Sequence, residues 1–76
     1  MTTVDEIRRL MKDAGIARGK VDALADDDAF DDQGMDSYDR MSLLTELEES
    51  FDVEIPDEEA RGLTTLRKIV DYLNSK

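Results

Sequence analysis

The residues able to do chemistry gather in one stretch of the chain. Gly34-Met35-Asp36-Ser37-Tyr38-Asp39 sets a serine hydroxyl among carboxylates, and Phe51-Asp52-Val53-Glu54-Ile55-Pro56-Asp57-Glu58-Glu59 begins fourteen residues after that serine. Cysteine and histidine are absent. The chain therefore has no thiolate nucleophile, no disulfide, and neither the commonest general base nor the commonest metal ligand. Such a composition makes a poor catalyst. The acidic runs Asp26-Asp27-Asp28 and Asp31-Asp32 raise the question of calcium, but an EF-hand loop needs oxygen ligands at positions 1, 3 and 5, Gly at 6 and Glu at 12. Starting at Asp26 places Phe30 fifth, Asp31 sixth and Ser37 twelfth, and no other start fits better. No metal site is expected.

Charge is concentrated around the serine. Twenty acidic residues oppose ten basic ones, for a formal charge of −10, and residues 36–59 hold ten of the acids against one base, Arg40. Almost all of the excess thus surrounds Ser37. Nucleic acid and anionic membranes would be repelled, whereas enzymes with basic patches would be steered toward the site. A solvated helix face would tolerate the same charges but would not require them to be concentrated there.

Helical spacing accounts for most of the chain. Thr3-Val4-Asp5-Glu6 has the form of a capping box, Val4, Ile7, Leu10, Met11 and Ala14 follow at steps of three and four, and Gly15 is a suitable stop. Residues 15–36 lack periodicity and read as a long loop pinned by Val21, Leu24 and Phe30, a length that is often functional. Asp36 can cap a second helix starting near Ser37, whose apolar stripe is Met41, Leu44, Leu47 and Phe51, widened by Leu43. Pro56 suits the first position of a short third helix that Gly62 ends. Thr64 or Thr65 can cap a fourth, with Leu66, Ile69, Val70 and Leu73 as its stripe. The sum is an all-α fold: one domain over residues 1–76, a small bundle of three main helices and a short third helix. No apolar run approaches the roughly 20 residues that span a bilayer, and the polar start is unlike a signal peptide. A cytoplasmic monomer is the expectation.

The segment from Gly34 to Glu59 closely resembles the acyl carrier protein family, whose hallmark is Gly-x-Asp-Ser-Leu at the start of the second helix, followed by an acidic-Phe-Asp-x-Glu-Ile-Pro-Asp segment. The likeness continues through Leu63-Thr64-Thr65-Leu66 and Asp71-Tyr72-Leu73, and Ile55-Pro56-Asp57-Glu58-Glu59-Ala60 is near the type found in bacterial fatty acid synthesis. The resemblance implies that a phosphopantetheinyl transferase moves 4′-phosphopantetheine from coenzyme A onto Ser37. The arm's thiol would then carry acyl groups as thioesters for fatty acid, polyketide or related lipid synthesis, with visiting acyl-loading and acyl-transfer enzymes doing the chemistry. It also implies partner recognition by Asp36, Tyr38, Asp39, Arg40, Met41, Glu46, Glu48 and Glu49. Leu44, Leu47, Leu63, Leu66 and Ile69 would form the core, some of them lining an acyl pocket.

Several residues depart from the family's pattern. Tyr38 replaces the usual Leu after the serine, and Gln33 stands where a Leu precedes the glycine. Arg40 lies four, seven and eleven residues before Leu44, Leu47 and Phe51, which puts it on the inward side of an ideal helix. Its stem can pack while the guanidinium reaches water or a neighbouring acid; alternatively Arg40, with Tyr38, meets polar or carboxylated cargo. Two rival readings share the fold. One is a peptidyl or aminoacyl carrier, against which Asp36 before the serine argues. The other is an unmodified acidic adaptor that has no need of Ser37.

Overall fold

A computed structural model describes residues 1–75, and among them only helices and turns occur. Helix α1 spans Val4–Ala14, α2 Ser37–Phe51, α3 Asp57–Ala60 and α4 Leu66–Asn74. The capping residues that the sequence proposes are in place. Thr3 Oγ1 accepts from the Glu6 backbone N–H at 3.3 Å, Asp36 Oδ1 from the Asp39 N–H at 2.8 Å, and Thr65 Oγ1 from the Lys68 N–H at 3.0 Å. At the end of α1, Gly15 turns left-handed with φ 72°. The Ile16 N–H then reaches back to the Met11 carbonyl at 2.9 Å, and Ile16 and Met11 both enter the core. This is the hydrogen-bond and apolar pairing of a Schellman ending.

The core is drawn from α1, α2, α4 and the loops between the helices. Ile7 and Met11 of α1, Leu43 and Leu47 of α2, Leu66 and Ile69 of α4 and Phe30 of the loop are its largest fully buried side chains. Burying each contributes about 1.5–3 kcal/mol. Helix α1 packs against both α4 and α2, and Asn74 exchanges two hydrogen bonds with the Thr2 backbone, which ties the end of α4 to the start of α1.

Three expectations are corrected. Met41 does not join the inward stripe of α2: it is 68% exposed, while Leu43 and Leu47 are buried and Leu44 and Phe51 half-buried. The face that meets the core is centred on the Leu43–Leu47 ridge, because α1 packs on that side. Pro56 stands just before α3 as its N-cap, with φ −59° and ψ 151°, not within it. Gly62 does not stop α3, which ends at Ala60; the Gly62 N–H closes a turn onto the Glu59 carbonyl at 3.0 Å.

The long loop is more ordered than its lack of periodicity implied. It contains two single-turn 3₁₀ segments, Val21–Ala23 and Phe30–Gln33. Val21, Leu24 and Phe30 are buried as expected, and Ile16, Ala17 and Met35 are buried with them. Backbone pairing fixes the loop to α4 and the turn before it: the Phe30 N–H donates to the Thr64 carbonyl at 2.9 Å and the Arg67 N–H to the Asp26 carbonyl at 2.9 Å. Gln33 fastens the loop to itself. Its Oε1 accepts from the Ala25 N–H at 2.5 Å and its Nε2 donates to the Asp28 carbonyl at 3.0 Å. With a further, longer bond from Nε2 to the Ala29 carbonyl at 3.4 Å, the polar residue at this position exchanges an apolar anchor for three hydrogen bonds to the backbone.

Candidate functional site

Ser37 is the first residue of α2 and is exposed. The Asp36 side chain satisfies the Asp39 N–H, and the Arg40 N–H begins the helical ladder on the Asp36 carbonyl at 3.2 Å. The N–H groups of Ser37 and Tyr38 precede that ladder and have no intrahelical acceptor. A hydroxyl here is accessible, and it stands where a helix dipole and free N–H groups favour an added negative charge. A phosphate ester on Ser37 therefore fits the local electrostatics.

The turn before the serine is held from two sides. Gly34 adopts φ 87°, a conformation open to glycine at little cost, and its carbonyl accepts from Lys20 Nζ at 3.0 Å. Met35 is buried beneath it. Lys20 was not among the residues that the sequence marked, because a base in an aperiodic loop gives no sign of which carbonyl it will meet.

Around Ser37 the surface is apolar at the centre and acidic at the edge. Tyr38 is 76% exposed and Met41 68% exposed; with Ser42, Thr45 and Glu46 they line an open hollow of about 310 Å³. Asp36 and Glu49 are exposed, Asp39, Glu46 and Glu48 half-buried. Glu48 is partly engaged inside the fold, since its Oε2 accepts from the Ile55 N–H at 3.3 Å. The remaining carboxylates of α2 are left to solvent. Ion pairs form elsewhere among the described residues: Arg8 with Asp26 at 2.6 Å, Lys12 with Asp22 at 2.6 Å, and Arg67 with Asp26 at 3.5 Å and Asp27 at 3.4 Å. Arg8, Lys12 and Arg67 are engaged with acids of α1 and the loop and not with those of α2.

The remaining marked residues divide between core and groove. Leu47, Leu66 and Ile69 are 0% exposed and belong to the common core, as does Leu63. Leu44 instead borders a groove of about 180 Å³ between α2 and α3, lined also by Met41, Glu48, Ile55 and Ala60. Arg40 is half-buried, and its Nη2 donates to the Ala60 carbonyl at 3.4 Å, reaching α3 and not a neighbouring acid. Tyr38 and Arg40, two residues apart on α2, point to different sides of the helix.

A family model described as the phosphopantetheine attachment site matches residues 5–73, nearly the whole chain. The chain belongs to this phosphopantetheine-binding family, whose domains carry covalently attached 4′-phosphopantetheine as carrier proteins.

Proposed function

We propose that the chain is an acyl carrier protein and that Ser37 bears the arm. The observation that carries this reading is the exposed Ser37 hydroxyl at the capped start of α2, in a chain that the family model matches over residues 5–73. The arm supplies a terminal thiol on which cargo rides as a thioester. The chain's own part is to present the hydroxyl, hold the turn before it through Lys20 and Asp36, and offer a docking face. In the loading step the Ser37 oxygen bonds to the coenzyme A phosphorus that bears pantetheine. The bond from that phosphorus to the adenosine bisphosphate portion breaks, that portion leaves, and the hydroxyl proton passes to a base of the transferase. Asp36 and the match to acyl carriers in residues 34–60 favour acyl cargo over peptidyl cargo. The acids of α2 and the apolar pair Tyr38 and Met41 fit enzymes whose docking surfaces are basic around an apolar centre. No helix among the described residues is long and apolar enough to cross a membrane, and we place the protein in the cytoplasm as a non-catalytic monomer.

The test is an intact-mass measurement after incubation with coenzyme A and a broad-specificity phosphopantetheinyl transferase, beside Ser37→Ala. Gain of one arm by the parent and none by the variant is the expected result. An arm on the Ser37→Ala variant refutes the assignment to Ser37. No gain by the parent with a transferase that loads a control carrier supports the unmodified adaptor instead.

A further inference from the structure

Arg40 is the one base in the 36–59 segment, and it has two neighbours with opposite consequences. It follows Ser37 by three residues on the same helix, which makes the two neighbours on one face, with Cβ atoms about 5–6 Å apart. Helical side chains lean toward the helix N-terminus, so the guanidinium is carried back over the first turn. From there Nη2 donates to the Ala60 carbonyl at the end of α3, at 3.4 Å. That bond is long, since N–H···O distances cluster near about 2.9–3.0 Å. The Ala60 carbonyl also accepts from the Leu63 N–H at 3.1 Å and stays satisfied without Arg40. Although acids crowd this segment, none forms an ion pair with Arg40 among the described residues. A charged donor fork is thus held by one weak, neutral acceptor.

We propose that Arg40 couples the modification state of Ser37 to the seating of α3. With Ser37 unmodified, Arg40 braces α3 through Ala60. With a phosphodiester on Ser37, Arg40 turns to that anion and releases α3. The inference rests on the reading that Ser37 carries the arm. The preference follows from bond type: guanidinium–phosphate contacts are charge-assisted, matched to the fork of Arg and about twice as strong as neutral hydrogen bonds. Helix α3 is a short element, joined to α4 by the hydrogen bond that Tyr72 Oη donates to Glu59. It has four residues, no side-chain cap and no buried residue of its own. Its release widens the groove between α2 and α3 that Leu44, Ile55 and Ala60 line, so the site beside the cargo opens only once there is an arm to hold cargo.

The experiment is amide hydrogen exchange over residues 60–63, in the unmodified protein and in protein bearing 4′-phosphopantetheine with a free thiol, the loading being verified by intact mass. In the parent, loading should speed exchange of these amides by about threefold to tenfold, tenfold being about 1.4 kcal/mol. Arg40→Met keeps an unbranched stem without the charge, and it should exchange fast in both states. Arg40→Lys should restore part of the difference. Equal exchange in loaded and unloaded parent overturns the inference while leaving the attachment site standing, as does a full difference in Arg40→Met. A Ser37 that takes no arm overturns both.

Discussion

Replacing Arg8 with Met tests what holds the loop that leads to Ser37. Arg8 Nη2 donates to Asp26 Oδ1 and to the Leu24 carbonyl, each at 2.6 Å, so one side chain of α1 grips the loop at two points. Arg67 of α4 reaches the same carboxylate from the other side at 3.5 Å. Hydrogen bonds to charged groups contribute about 1.5–3 kcal/mol each when sheltered. Here the side chains of Arg8 and Asp26 are 21% and 35% exposed, and water weakens the contact. Arg8 Nε is buried without a partner, which offsets part of the gain. Met preserves the packed stem, so the loss isolates the guanidinium at about 2 kcal/mol. For a domain of this size that is roughly 8–16 °C in Tm. The assay is urea and thermal unfolding of parent, Arg8→Met, Asp26→Asn and the double variant. The double variant should be less than additive by about 1 kcal/mol, since the two residues share one contact. A loss below about 0.5 kcal/mol for Arg8→Met, the range of an ordinary surface change, would refute the idea that this clamp secures the loop.

Two further outcomes follow from core and charge. Leu47→Ala removes a side chain that is 0% exposed and should cost about 2–5 kcal/mol, a large share of the roughly 4–11 kcal/mol that a chain of this length holds. Met41→Ala, on the outer side of the same helix, should stay within about 0.5 kcal/mol in the same unfolding assay; equal losses would contradict the corrected orientation of α2. Because the ten acids of residues 36–59 face a single base, Arg40, and repel one another, melting temperature should rise with added NaCl or magnesium as the charges are screened. A melting temperature indifferent to ionic strength would contradict that account.

Local patterns determined the helices and their caps. Thr3 and Asp36 are legible because a capping side chain bonds to an N–H two or three residues away, a relation contained in the sequence itself, while the choice between Thr64 and Thr65 fell to the structure, which takes Thr65. The end of α1 was legible at Gly15 for the same reason. The serine and its acidic surroundings could also be read, since both lie in one continuous segment. Tertiary structure decided which way α2 faces. The spacing of Met41, Leu44, Leu47 and Phe51 is as helical as that of Leu43 and Leu47, and only the packing of α1 and the shared core chose the second ridge and turned Met41 to solvent. It also decided the partners of long side chains. Arg8 meets a loop carbonyl, Lys20 the Gly34 carbonyl and Arg40 the end of α3, contacts between residues 14 to 20 positions apart. No short-range pattern encodes such distances, because they are set by how separate elements pack.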